Sequence, residues 1–364
     1  MVSARQWILK TEQVPTAPFN FDVKDPKSTF ELKNIELNQD QLKDNEIMLE
    51  VLLLSNDPAQ KFWIATADKN YAAGVKPGEL IPSRGIAKVI ASTNKNYNVG
   101  EYVTGTVCWT THVIIHDVPA AQLRKLSMEN VDDLSWHLSV LGGTALTAYF
   151  IFYKYAELKE REEDYGKVYL ISGAAGAVGS ICIQIALQVF KASKVIAIVG
   201  GVEKVKYVEG FGDKVVGVDY KDSNFKENLI KLAGGPNTVD YFIDNVGGSI
   251  LDLGCVLAKQ HSMILACGSI SGYNNAEHLV FKNYITVLTK RLVIKGLLLG
   301  DNIADFPAGI KKLTEMIFGN QIDISKISTI VDATGDKFEN VPNIWNSLFS
   351  GANTGKLITK VAEY

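Results

Sequence analysis

The sequence predicts an α/β protein: a doubly wound parallel sheet in the second half of the chain, inserted into a strand-rich domain. Three observations carry this. In the stretch 166–194, GKVYLISGAAGAVGSICIQIALQVFKASK, a short apolar run (Val168–Ser172) passes through glycines at 173, 176 and 179. It then enters a stripe of Ile181, Ile185, Ala186, Val189 and Phe190 at helical spacing. From Lys167 onward, strand-type and helix-type segments alternate, the pattern of parallel sheets. Residues 1 to about 125, by contrast, are short β-type runs broken by turn signals.

Taken in order, the runs 46–54, 85–91 and 101–108 read as strands. Asp57-Pro58, Lys76-Pro77-Gly78 and Asn98-Val99-Gly100 punctuate them. The stretch 131–155 turns helical. The strands expected of the parallel sheet are 168–172, 194–199, 214–218, 239–243, 261–267 and 292–299, with helices such as 224–233 and 250–259 between them. A helix over 308–318 and a strand over 356–361 close the chain. The apolar character of 168–172 and 194–199 suits strands buried on both faces.

Composition narrows the function. A chain of 364 residues with 47% hydrophobic content is long enough for two cores. A net charge of -3, a pI near 6.0 and no basic–aromatic cluster argue against nucleic acid and anionic membrane as partners. The uncharged run 168–190 is long enough to span a bilayer, but three glycines and two serines interrupt it and its period switches from strand to helix. The N-terminus shows no secretory signal and the C-terminus no lipidation or retention signal. Cys108, Cys182, Cys255 and Cys267 are widely spaced, which suits a reducing compartment, with Cys182 and Cys267 as core residues. A cytoplasmic protein is expected.

Strand, glycine turn and helix in succession form a dinucleotide-binding context. Gly176 lets backbone approach a pyrophosphate, and Gly179 lets helix pack on strand. The helix start at Ala177 and Val178 offers N–H groups to the anion. Ala174 stands at the first glycine position, so the motif is A-x-G-x-x-G. The next strand, Lys194–Val199, ends in Gly200-Gly201-Val202 without the acid that would hold a ribose hydroxyl, and Lys204 follows. A cation there suits a 2′-phosphate, so the site reads as NADPH rather than NADH. The alternative for Lys204 is an ordinary solvated lysine at a helix start. Other strand tips, 244–248 (DNVGG) and 267–273 (CGSISGY), should line the same crevice.

These pieces, together with RQWIL at 5–9, SNDP at 55–58, GTVCWTTH at 105–112, LGGTALTAYF at 141–150, EKV at 203–205, DYK at 219–221 and GANTGK at 351–356, resemble the zinc-free branch of the medium-chain dehydrogenases/reductases. That branch holds the prostaglandin, leukotriene-B and 2-alkenal enzymes. The resemblance implies a GroES-like domain over 1–137, a Rossmann domain over 138–318 and a return to the first over 319–364. It implies that Gly176, Ala177, Val178 and Gly179 hold the pyrophosphate, and that Lys204 and Tyr220 contact the 2′-phosphate. Asn245 and the run Cys267, Gly268, Ser269, Ile270, Ser271, Gly272 and Tyr273 would line the adenosine and nicotinamide side. Leu297, Leu298 and Leu299 would stand beside the nicotinamide, and Asn353 would contact the cofactor. The implied reaction is NADPH-dependent reduction of the carbon–carbon double bond of an α,β-unsaturated aldehyde or ketone, in a cytosolic homodimer. A quinone reductase of the same fold and a non-enzymatic NADPH-binding protein are the alternatives.

No zinc is expected. The stretch Ser83-Arg84-Gly85-Ile86-Ala87 stands where zinc relatives carry G-H-E, and His112 and His116 find only Cys108 and Asp117 as nearby ligand types. Two positions depart from the branch. Asp57-Pro58-Ala59-Gln60-Lys61 replaces D-P-Y-M-R, and Thr289 replaces a tyrosine before Lys290-Arg291. A phenol there would donate to a developing enolate oxygen. Thr289 is a shorter donor at that place, and Tyr284 is the nearest phenol that could substitute.

Overall fold

A computed structural model describes residues 1–14, 16–65, 74–129 and 131–364. In chain order the strands are β1 (Val2–Leu9), β2 (Phe30–Leu37), β3 (Ile47–Ser55), β4 (Arg84–Ser92), β5 (Tyr102–Thr106), β6 (His112–Ile115), β7 (Arg124–Lys125), β8 (Val168–Ser172), β9 (Lys194–Val199), β10 (Val215–Asp219), β11 (Val239–Asp244), β12 (Ala258–Ala266), β13 (Val293–Gly296), β14 (Ser328–Asp332) and β15 (Lys356–Lys360). They fall into two compact units. One comprises Met1–Leu138, Thr329–Asn353 and Leu357–Tyr364; the other comprises Ser139–Ser328 and Thr354–Lys356.

The first unit is antiparallel. β1 pairs β2, and a larger sheet runs β14-β15-β3-β4-β5-β7 with β6 on β3. β3 is buried along almost its whole length, as a central strand packed on both faces must be. Its core is aromatic: Phe30 and Trp109 lie 5.3 Å apart and Trp109 and Trp345 5.8 Å apart, ring centre to ring centre. The buried Trp345 indole N–H donates to the Asp57 carbonyl at 2.9 Å.

The second unit is the doubly wound sheet. Its order is β10-β9-β8-β11-β12-β13, and every neighbouring pair runs parallel. The chain winds outward from β8 in both directions, so the topological switch lies between β8 and β11. Ligands bind outside the carboxyl ends of strands at such a point. Leu170, Ile196, Phe242 and Ile264 supply apolar centres from four successive strands, all fully buried.

Local element bounds differ from those the sequence predicts. The last strand of the sheet ends at Gly296, not 299, because Leu299 opens a 3₁₀ turn over Leu299–Asp305. The helix expected over 250–259 is Gly248–Leu257, and Ala258 already belongs to β12. Cys267 lies just beyond β12 and is half-buried rather than in the core. The stripe after the glycines is an α-helix, Ala177–Gln184, that widens into a π-turn over Ile185–Val189; Phe190 N–H reaches back five residues to the Ile185 carbonyl at 3.1 Å. Among the described residues no helix is long and apolar enough to cross a membrane. Residues 319–328 stay with the second unit, where Gln184 Oε1 accepts from the Asp323 N–H at 2.6 Å.

Candidate functional site

The glycine loop is shaped by contacts that only glycine tolerates. A β-carbon on Gly179 would stand 2.6 Å from both Ala174 Cα and the Gly173 oxygen. The helix Ala177–Gln184 is thereby drawn against the turn leaving β8. Gly176 is its N-cap, and no side chain caps it. The N–H groups of the first turn, at Ala177, Val178 and Gly179, are thus left to a ligand or solvent. Gly355 pairs with Gly176 in a parallel bridge, and its N–H donates to the Ala175 carbonyl at 2.8 Å. Sequence reasoning stopped at Asn353 and missed Gly355. No local signal marks it, because the close approach that requires glycine there, to the Ile327 carbonyl oxygen, is made only in the folded chain.

The tips of β8, β11 and β12 are joined by one residue, Asp244, whose carboxylate ties the first two and whose backbone carbonyl holds the third. Asp244 is buried; it accepts from Ser172 Oγ at 2.6 Å, Val246 N–H at 3.1 Å and Gly247 N–H at 3.0 Å. Burial pushes its carboxyl above the usual range, and those donors oppose the shift. Asn245 follows, its amide donating to the Ser172 carbonyl at 2.7 Å. The run 267–273 returns over this loop: Cys267 and Gly268 N–H donate to the Asp244 carbonyl, and Ser271 Oγ donates to the Val246 carbonyl at 2.6 Å. Gly268 comes so close that a β-carbon would lie 3.0 Å from the Asn245 oxygen. Ile270 and Gly272 bound a 3₁₀ turn that Tyr273 caps, with Ser269 ahead of it. Leu297 is buried, its N–H donating to the Ala266 carbonyl at 3.2 Å, and Leu298 beside it is exposed. The expected run Gly176–Gly179, Asn245, 267–273 and Leu297 therefore gathers at the carboxyl ends of the sheet.

Lys204 and Tyr220 form a second cluster at the tips of β9 and β10. The Tyr220 ring lies over Gly200, and Lys204 is half-buried with its amine held below the usual lysine range by burial and by the charge of Lys221. Asn353 is buried in the first unit.

Thr289 and Tyr284 are not brought to the glycine loop. Both lie on the helix Tyr284–Lys290; Thr289 Oγ1 donates to its own helix at Ile285, 3.1 Å away, and Tyr284 is largely exposed. The next residue, Lys290, donates to the carbonyls of Cys255, Val256 and Ala258, at the amino end of β12. Thr289 thus sits at the opposite rim of the sheet, about 25 Å of strand rise from the tip at Ala266.

The chain matches two family models, one described as the N-terminal domain of oxidoreductase over residues 5–125 and one as zinc-binding dehydrogenase over 177–315. It is 62% identical over 361 residues to "Uncharacterized membrane protein YML131W" of Saccharomyces cerevisiae, covering 99% of each chain. It is 32% identical to prostaglandin reductase 1 of Bos taurus, over 99% of this chain and 100% of that one. The chain belongs to the zinc-free medium-chain dehydrogenases/reductases, in the branch of the prostaglandin and 2-alkenal reductases. Among solved structures, CurA from Vibrio vulnificus in complex with NADPH superposes with a TM-score of 0.82 at 25% identity, covering 99% of this chain and 100% of that one. The family is one of oxidoreductases with a Rossmann unit and a GroES-like unit.

Zinc, which the second family description names, does not fit the side chains present. Among the described residues no three His, Cys, Asp or Glu side chains gather. His116 is spent on Glu46, at 2.6 Å, and His112 contacts Thr111. Burial drives the Cys108 thiol up to about 12, far from the thiolate a zinc site needs.

Proposed function

We propose that this chain is an NADPH-dependent reductase of the carbon–carbon double bond in α,β-unsaturated aldehydes and ketones. The observation that carries the cofactor is the pairing of an uncapped helix behind Gly176 with two lysines, Lys204 and Lys221, at a strand tip where Gly200 replaces an acid. The reaction class follows from the branch of the family. NADPH, when bound, supplies the hydride that reduces the β-carbon. Gly176 and Gly179 let the backbone approach the pyrophosphate. Lys204 and Tyr220 face the 2′-phosphate. Asn245, the run 267–273 and Leu297–Leu299 enclose the nicotinamide side and exclude water. Orientation in a dry site is the main contribution of such a protein. A proton from solvent completes the α-carbon.

The reading includes a cytosolic homodimer joined at β13. The far edge of the sheet is protected, since Glu209 Oε1 caps the Gly217 N–H of β10 at 3.1 Å. Among the described residues no side chain caps an N–H of β13 in this way. Its lysine, Lys295, is drawn off to Glu157 at 2.6 Å and the Tyr155 carbonyl, so it does not defend the edge. Around it Tyr284, Ile285, Leu288, Val293, Ile294 and Leu298 are 40–69% exposed. At about 200 Å² per fully exposed large side chain they offer on the order of 600 Å², against about 800 Å² per partner in a stable interface. Antiparallel pairing of two β13 edges sets the amino end of one strand beside the carboxyl end of the other. Thr289 enters the mechanism on this arrangement, as a hydroxyl supplied from the second copy.

The test is consumption of NADPH against a panel of enals, enones and quinones, with the products identified. Saturated aldehydes from enals and saturated ketones from enones are expected. Turnover of quinones alone would replace this reading with a quinone reductase. NADPH binding with no turnover of any acceptor would replace it with a binding protein.

A further inference from the structure

Two lysines stand at the tips of β9 and β10, and the carboxylate there, Asp219, is bound to backbone N–H groups rather than to either amine. Lys204 is half-buried on the helix Val202–Glu209, and Lys221 lies just past β10. They are close enough that Lys221 contributes to holding the Lys204 amine below its ordinary range. Among the described residues neither makes an ion pair. The acids nearby are committed elsewhere. Glu203 pairs with Lys206 at 2.8 Å. Asp222 accepts from the Asn224 N–H at 2.8 Å and the Asn228 amide at 3.1 Å. Two like charges that lack ion pairs of their own repel each other, and an anion between them relieves that cost.

Asp219 explains why they are held there. It ends β10, in register with Val199 at the end of β9. Its Oδ1 accepts from the Gly201 N–H at 2.7 Å and from the Lys221 N–H at 2.9 Å. One carboxylate oxygen thus ties the two strand tips and fixes the backbone from which Lys221 projects. An acid at the β9 tip would face a ribose hydroxyl; here the acid stands one strand over and binds backbone instead. Lys221 Nζ lies 6.0 Å from the centre of the Tyr220 ring, which covers Gly200.

We infer that Lys221 is a second phosphate-binding residue, forming with Lys204 a two-lysine clamp for the 2′-phosphate of NADPH, and that Asp219 is its positioning residue. This rests on the cofactor reading above. The discriminating group on the ligand is a phosphate monoester on the adenosine ribose, and NADH lacks it.

The experiment is calorimetric titration of the full chain with NADPH and with NADH, for wild type, Lys204→Ala, Lys221→Ala, Lys221→Gln and Asp219→Asn. Loss of a charged hydrogen bond should weaken NADPH about tenfold or more in each lysine variant, with NADH unchanged. Asp219→Asn should weaken NADPH by a smaller factor, because the amide that replaces the carboxylate keeps one acceptor oxygen. Lys221→Gln keeps length and polarity without charge, so it should behave as Lys221→Ala does. If wild type prefers NADPH, Lys204→Ala abolishes the preference and both Lys221 variants keep it, the clamp is wrong and the cofactor reading stands. Equal loss of NADPH and NADH in the Lys221 variants would also overturn the clamp. If wild type binds the two nucleotides equally, the clamp and the cofactor reading fall together.

Discussion

Tyr220 lies so close over Gly200 that a β-carbon on the glycine would stand 2.7 Å from Tyr220 Cε1. The ring therefore depends on the missing side chain. Gly200→Ala should displace Tyr220 from the strand tip and weaken NADPH more than NADH. Loss of a hydrogen bond to a charged phosphate sets the scale, about 1.5–3 kcal/mol in NADPH affinity. Fluorescence titration with both nucleotides checks it; an unchanged NADPH affinity would show that Tyr220 does not face the cofactor.

The Asp244 carboxylate ties the tip of β8 to the loop after β11, and Asp244→Ala should loosen both while the backbone carbonyl that holds Cys267 and Gly268 stays in place. Ser172 Oγ and the N–H groups of Val246 and Gly247 would lose their acceptor inside the protein. At about 1–3 kcal/mol per buried group left unsatisfied, the variant should lose about 3 kcal/mol or more of stability. Thermal unfolding measures the loss. If the loop that Asp244 orders, 245–248, borders the cofactor as proposed, added NADPH should recover less stability in the variant than in wild type. A variant with wild-type Tm would mean that solvent satisfies these groups.

If Lys204 holds the 2′-phosphate, NADPH binding should be proton-linked. In the folded protein its pKa is lowered from 10.5 by burial and by Lys221. Between the lowered value and 10.5 the unfolded chain binds more protons than the folded one. Burial of the charged amine, with the repulsion from Lys221 added, therefore costs stability below that window, and the cost fades as pH rises through it. A 2′-phosphate restores the charged form, so NADPH binding near the top of the window, at about pH 10, should take up protons while NADH binding should not. Calorimetry in two buffers of different ionisation enthalpy reads this directly. No difference between the two nucleotides would separate Lys204 from the phosphate.

The parallel sheet was legible because its signals are local. Apolar runs such as Val168–Ser172 and the glycine spacing 173, 176, 179 are dictated by strand burial and by backbone contact within a few residues. Lys204 stood out because the strand before it ends in glycine rather than an acid. What stayed hidden depends on pairing across the sheet. Asp219 reads as an ordinary turn acid until β10 is laid beside β9 and its oxygen meets Gly201. Gly355 gains its role only when its segment returns beside Ala175. Thr289 shows the converse, since a motif position marks a residue without fixing the rim of the sheet on which it falls.

The Thr289 reading and the homodimer are tested together. Ile294→Lys places a charge on the exposed edge of β13 and should convert a dimer to a monomer in sedimentation velocity, since an edge lysine blocks strand pairing. If the second copy supplies the hydroxyl, Thr289→Tyr should raise kcat/KM for a small enal in the dimeric protein and leave it unchanged on the Ile294→Lys background. A well-placed oxyanion donor is worth up to about 2.7–4 kcal/mol, and a donor without supporting contacts gives much less. Thr289 Oγ1 now donates to Ile285, and a phenol at this place would be free of that bond and longer. A gain of equal size on both backgrounds would put the donor within one chain, against the position of Thr289 at the amino ends of the strands. No gain on either would remove Thr289 from the mechanism and leave solvent or the cofactor ribose to polarise the carbonyl.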